Sequence, residues 1–223
     1  MWATLVLLGA SAVFENQSQA KGPIDPAAPP VRMGALSYAG SACPPGSVSA
    51  VLSPDEQTLS VVFDRFSSQV GSGTGVDQQR LDCTLSIPLT LPTGYALSVF
   101  SMDVRGFASL VKGARAVVRS SHEFTRRNGK LKLDFDRDAL KGPYEGDFFY
   151  EQTLAKRWDS DCGDFATINV KLELLLDSDG RLRDPVDNKK KQRVPDQSLA
   201  SLDSIDTTAA PLSYKIQLSR CKP

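Results

Sequence analysis

The stretch TINVKLELLL, Thr167 to Leu176, determines how this chain folds. Its apolar side chains recur at every second position, and alternate side chains of an extended backbone point to the same face. The residues that share this face are Ile168, Val170, Leu172, Leu174 and Leu176. The stretch therefore predicts a β-strand with one face buried in a core, ending at the turn formers of residues 177–180.

Other stretches repeat this alternation. In KLKLDFD, residues 130–136, the side chains of Leu131, Leu133 and Phe135 face one way and the charged ones face the other, which is typical of a half-buried antiparallel strand. Further strands are predicted at 47–52, 57–66, 81–91, 95–104 and 214–220. Since no window sustains a helical period, we expect an all-β fold, a jelly-roll-like antiparallel β-sandwich of about 8–10 strands.

The chain contains four cysteines, Cys43, Cys83, Cys162 and Cys221, and none belongs to a CxxC pair. In an exported chain an even number of widely spaced cysteines favours disulfides over redox chemistry, and a zinc site would need short ligand pairs. Three pairings are possible. We expect Cys43 with Cys83 and Cys162 with Cys221, because each bridge then closes one half of the chain and contributes about 4 kcal/mol.

The N-terminus predicts export. In residues 1–20 an apolar run from Trp2 to Leu8 is followed by small and polar residues, which suits signal-peptide cleavage after Ala20, with a second small-residue site after Ala12. The run is shorter than the ~20 residues of a membrane span, and no other stretch approaches that length. We expect a secreted chain with a Pro/Ala-rich leader at 21–36 and a single domain at 37–223.

Charge and composition exclude some partners. Lys and Arg together number 26, as do Asp and Glu, and removing residues 1–20 takes away only Glu15, which leaves a net charge of +1. A near-neutral chain gives no electrostatic reason to expect nucleic acid as a partner. Residues 184–212 are polar and include the run Lys189-Lys190-Lys191. They predict a long polar surface loop, with a polyanion or protein contact as the alternative.

Several short strings occur in a characteristic order. They are YAGSACPPGSVS (38–49), LSPD (52–55), FDRF (63–66), PTGY (92–95) and RGFA (105–108), followed by Trp158, Cys162-Gly163 and the closing Cys221. From Tyr38 to Cys221 this set resembles the family of secreted proteins designated domain of unknown function 4360. The resemblance implies an exported bacterial or fungal protein with paired cysteines and a predominantly β fold. It implies no activity, so it assigns no catalytic residue.

Few residues suit catalysis or metal binding. His122 is the only histidine, which excludes a histidine-based metal centre, and its neighbours in a strand would point away from it. We expect it at the surface or at a sheet edge. The best calcium candidates are Asp159, Asp161 and Asp164, which surround Cys162. Solvated turn residues are the simpler interpretation, and we predict no cofactor.

Two classes of function remain. The first is a secreted structural or binding module without catalytic activity, which contacts a surface glycan or a protein; Tyr144, Tyr150 and Trp158 are its aromatic candidates, although rings more often fill cores. The alternatives are an extracellular hydrolase that uses two carboxylates on a glycan, or a calcium-stabilised sugar-binding domain. A hydrolase predicts two converging acids, one of them with a raised pKa.

Overall fold

The computed structural model describes residues 30–71, 74–136, 139–178, 186–187, 192–193, 197–202 and 210–221. The expected signal peptide and most of the expected leader lie outside these residues. The described strands are β1 (Arg32–Met33), β2 (Ser37–Ala39), β3 (Val48–Leu52), β4 (Thr58–Phe63), β5 (Ser67–Gly71), β6 (Gln78–Thr90), β7 (Tyr95–Leu110), β8 (Arg115–Arg126), β9 (Gly129–Asp136), β10 (Leu140–Lys141), β11 (Tyr144–Asp159), β12 (Phe165–Asp177), β13 (Val186–Asp187), β14 (Gln192–Arg193), β15 (Gln197–Ser201) and β16 (Leu212–Arg220).

Two antiparallel sheets form a sandwich, as the sequence predicted. In sheet A, strand β12 lies between β6 and β8; β1 and β2 pair with the other side of β6, and β9 and β10 pair with the other side of β8. In sheet B the order is β3-β4-β16-β7, and β15 pairs with the end of β7 and with β5. Strand β11 pairs with β7 on the side opposite β16.

The core fills the space between the two sheets. Residues 167–176 lie in strand β12, and their five predicted core residues are all at most 1% exposed. They pack against side chains of sheet B such as Leu59, Phe63 and Leu97, which are equally inaccessible. Within the described residues no helix has the length and apolar character needed to cross a membrane.

Two disulfides brace the sandwich. Cys43 is bonded to Cys83, which ties the loop after β2 to the middle of β6, and Cys162 is bonded to Cys221, which ties the loop before β12 to the end of β16. These are the neighbouring pairs that the sequence favoured. The second bridge fixes the loop that leads from β11 in sheet B to β12 in sheet A.

The predicted boundaries need two corrections. The leader was expected to extend to residue 36, but Val31 is buried and β1 pairs Arg32 with Thr90 on β6. This segment joins the sheet because the apolar side chain of Val31 is buried in the core at the edge of β6. The expected polar loop at 184–212 contains β15, which lies between β5 and β7. Its residues Ser198 and Ala200 are small and buried. The strand therefore forms through its pairing with the neighbouring strands and not through a run of alternating large apolar side chains.

His122 is also placed differently from the expectation. It lies on β8 in the core of the sandwich, 0% exposed, and not at the surface or at a sheet edge. Its neighbours Ser121 and Glu123 point to the outer face of sheet A, as strand geometry predicted. Burial lowers the pKa of His122 to about 3, so this histidine is neutral at ordinary pH.

Candidate functional site

The three calcium candidates do not form one site. Asp159 accepts a hydrogen bond from the Ser98 hydroxyl, at 2.6 Å, and Asp161 accepts one from the backbone N–H of Asn128, at 3.1 Å. Asp164 pairs with Arg127, 2.7 Å away. Among the described residues, no three acidic, histidine or cysteine side chains are grouped closely enough to hold a metal ion.

The three aromatic candidates point inward. Trp158 is 5% exposed and its ring packs 5.4 Å from that of Phe124, so this ring lies in the core. Tyr150 is half-buried beside Phe148. Tyr144 is half-buried as well, and its hydroxyl donates to the backbone carbonyl of Asp147.

The exposed ring of this segment is Phe149, which was not among the predicted aromatic candidates. It lies on β11 between two inward-facing residues and is 48% exposed. The alternation along β11 could have shown this, because Phe148 and Phe149 are adjacent and must point to opposite faces. A second exposed ring, Phe165, begins β12 and is 66% exposed.

The outer face of sheet A is covered by ion pairs between its own side chains. These are Arg80 with Glu173, Lys171 with Glu173, Arg115 with Asp177, Arg119 with Asp136, Lys130 with Glu123 and Lys132 with Asp134. Hydrogen bonds chiefly from Ser121 lower the pKa of Asp134, and hydrogen bonds chiefly from Lys171 lower that of Glu173. The charges on this face therefore satisfy one another.

The outer face of sheet B has a different character. One row of residues crosses it through the pairs Val51 with Ser60, Ser60 with Ser213, Ser213 with Asp103, and Asp103 with Glu151. Small hydroxyl side chains occupy the middle of this row, and carboxylates occupy the end nearest β11. The centre of this face is therefore polar and carries small side chains.

Asp103 is the unusual residue of this row. It is 5% exposed although it lies on the outer face, and the Ser213 hydroxyl donates to its Oδ2 at 3.2 Å. Among the described residues, its Oδ1 has no hydrogen-bond partner. A buried carboxylate oxygen without a donor is costly, and such groups in native proteins call for an explanation.

Arg105 and Phe149 lie one row further along, directly opposite each other on β7 and β11. The guanidinium carbon of Arg105 is 4.4 Å from the centre of the Phe149 ring, within the range of a cation–π contact. A guanidinium nitrogen of Arg105 also lies 3.9 Å from Asp103 Oδ2, which is too long for a hydrogen bond. We call this group the Phe149 face: Asp103, Arg105, Phe149, Glu151 and Ser213.

A small cleft opens between the two sheets on the inner side of β11. Its volume is about 20 Å³, enough for roughly one water molecule. Its lining comes from both sheets: Met102, Val104, Val118, Ser120, Phe135, Tyr150 and Gln152. No carboxylate lines it, so it does not offer the pair of acids that a glycan hydrolase needs.

The fold and the two disulfides define the class of this protein. It is a disulfide-braced β-sandwich, as is common among secreted proteins. The chain belongs to the family described as domain of unknown function (DUF4360), which matches residues 29–221. An uncharacterized secreted protein of Arthroderma benhamiae is 33% identical over 168 residues, 71% of this chain and 67% of that protein. The protein is therefore secreted, as its disulfides and N-terminus predicted.

Two solved structures are weakly similar to this chain. TmCBM61 in complex with beta-1,4-galactotriose is 11% identical with a TM-score of 0.27, over 83% of this chain and 88% of that chain. The family 11 carbohydrate-binding module from Clostridium thermocellum, in complex with a mixed-linked tetrasaccharide, is 10% identical with a TM-score of 0.18, over 83% and 87%. At such scores the ligand of this chain must be argued from its own residues.

Proposed function

We propose that this secreted protein is a non-catalytic binding module that holds an extracellular glycan on the Phe149 face. The exposed ring of Phe149 carries this proposal, because it lies beside the hydroxyl and carboxylate groups of the Phe149 face. Sugars have apolar ring faces that stack on aromatic side chains, and their hydroxyl groups donate to carboxylates. The Phe149 face provides both kinds of partner on neighbouring strands.

The sheet geometry suits an extended ligand. Neighbouring strands lie about 4.8 Å apart, a spacing comparable to one sugar unit of an extended chain. A glycan that crosses the strands would therefore meet one side chain of the row from Ser60 to Glu151 at each sugar. The outer face of sheet A offers less, because its charged groups already pair with one another.

The carboxylate hydrolase is supported less well. A general acid needs a raised pKa, whereas the described carboxyl groups with a shifted pKa, Asp134 and Glu173, are both lowered by hydrogen bonds. These two acids also lie on the outer face of sheet A, in ion pairs, and not in a cleft.

A glycan array followed by isothermal titration of the hits tests the proposal. Phe149→Ala should weaken binding about tenfold or more, which corresponds to roughly 1.4 kcal/mol. Phe165→Ala is the matched control, because it removes an equally large exposed ring from sheet A and should leave binding within about twofold. Equal losses in both variants, or no glycan bound by the wild type, would overturn the proposal.

A further inference from the structure

The two disulfides differ in their exposure to solvent. Cys43 and Cys83 are 2% and 0% exposed, so this bridge lies in the core. Cys162 is exposed and Cys221 is half-buried, so the second bridge lies at the surface. An external thiol opens a disulfide by reaching one of its sulfur atoms, and the rate depends on access to that sulfur. The surface bridge is therefore the one that a thiol can reach in the folded protein.

The loop that carries Cys162 also holds the turn between β8 and β9. The backbone N–H of Asn128 donates to the carboxylate of Asp161 at 3.1 Å. The side chain of Arg127 pairs with that of Asp164 at 2.7 Å. These two acids lie one residue before and two residues after Cys162. The surface bridge thus fixes the loop on which this turn rests.

Backbone hydrogen bonds hold both cysteines in place independently of the bridge. The N–H of Ser160 donates to the carbonyl of Leu97 at 2.8 Å, and the N–H of Gly163 donates to that of Tyr95 at 2.7 Å. The N–H of Cys221 donates, at 2.8 Å, to a carbonyl of the loop between β6 and β7. After the bridge opens, the two cysteines should therefore stay close enough to form it again.

We infer that Cys162 is a site of reversible modification by low-molecular-weight thiols, and that this modification releases the turn at residues 126–128. The thiolate of the small thiol attacks Cys162 Sγ, the bond between the two Sγ atoms breaks, and Cys221 leaves as a thiolate. Cys162 then carries the small thiol as a mixed disulfide. One disulfide is exchanged for another, so this step needs no oxidant. Attack of the Cys221 thiolate on Cys162 Sγ reverses it.

The release of the turn follows from where the modified residue lies. The added group on Cys162 is placed between Asp161 and Asp164, which hold the turn. The bond to Cys221 no longer fixes the loop. The amide of Asn128 should therefore lose part of its protection from hydrogen exchange, whereas the amides in the middle of β12 should keep theirs.

Treatment of the folded wild-type protein with reduced glutathione tests the modification. Free thiols are then alkylated, and mass spectrometry of the unreduced peptides locates the glutathione. We expect glutathione on Cys162, alkylated Cys221 and an intact Cys43–Cys83 bridge, with the surface bridge opening at least about tenfold faster than the buried one. The matched control is the same treatment in concentrated urea, where burial is lost and the two bridges should open at rates within about threefold of each other.

Hydrogen exchange of the glutathione-modified protein tests the release of the turn. The amide of Asn128 should exchange about tenfold faster than in the unmodified protein, and removal of free glutathione should let the bridge and the protection return. Equal opening rates of the two bridges in the folded protein, or glutathione mainly on Cys221, would overturn the inference. Modification of Cys162 with unchanged exchange at Asn128 would overturn it as well, since the turn would then not depend on the bridge.

Discussion

The Nδ1 atom of His122 lies 2.7 Å from the hydroxyl oxygen of Tyr214, and this hydrogen bond joins the two sheets through the centre of the core. His122 comes from β8 of sheet A and Tyr214 from β16 of sheet B, and both are 0% exposed. The other ring nitrogen of His122, Nε2, has no hydrogen-bond partner in the part of the chain that the structure describes. Burial lowers the pKa of His122 to about 3 and raises that of Tyr214 well above its usual value.

His122 should make the free energy of unfolding depend on pH. The pKa of His122 is about 3 in the folded protein, against an ordinary value of 6.5 for histidine, so the unfolded chain binds the proton first as the pH falls. Stability from this group is complete above pH 6.5 and is lost as the pH falls toward 3. At pH 4.5 the loss should be about 3 kcal/mol.

Urea unfolding at pH 7 and pH 4.5 tests this prediction. His122→Gln should lower the free energy of unfolding at pH 7 but reduce its fall between the two pH values by about 3 kcal/mol. Tyr214→Phe removes the hydroxyl only and should keep the full acid dependence, because burial is the main cause of the lowered pKa of His122. An acid dependence identical in wild type and His122→Gln would contradict the assignment.

The carboxylate of Asp103 should lower the free energy of unfolding while it supports glycan binding. An amide is less costly to bury than a carboxylate with an unpartnered oxygen, so Asp103→Asn should raise the free energy of unfolding by about 1 kcal/mol. The same variant should weaken binding of the glycan found on the array. A stability loss together with unchanged binding would show that the carboxylate is structural.

Gly106 should tolerate no side chain. A Cβ atom built there would collide with the backbone carbonyl of Ser201 on β15 and with the ring of Phe148 on β11. Gly106→Ala should therefore destabilise the protein by about 2 kcal/mol or more, as thermal unfolding would report. Gly113→Ala is the control for steric collision, because nothing lies within 4 Å of the Cβ atom that it adds. Its φ of +94° means that this variant is destabilised by backbone strain alone. A Gly106→Ala protein as stable as wild type would show that β15 is not packed as described.

Each disulfide should contribute separately to stability. The bridges close loops of 40 and 59 residues, for which chain entropy predicts about 4 kcal/mol each. Replacing Cys43 and Cys83 by Ser, or Cys162 and Cys221 by Ser, should lower the free energy of unfolding by similar amounts. Urea unfolding measures both, and an unchanged midpoint in either double variant would argue against that bridge.

Residues 167–176 and 130–136 predicted the sheets because local alternation specifies which side chains enter a core. The same rule could have placed Phe149 outward, since Phe148 precedes it. It could not place β15, whose small polar residues carry no pattern, nor His122, whose buried partner Tyr214 lies 92 residues away in the chain.

The sequence by itself determined that the chain is exported, all-β and rich in strands that bury one face, because these properties depend on neighbouring residues. Only the tertiary structure decided which strands lie side by side, and so brought Asp103, Arg105 and Phe149 together from β7 and β11. Strand pairing across long loops is decided by the whole core at once, because its free energy comes from side chains far apart in the chain.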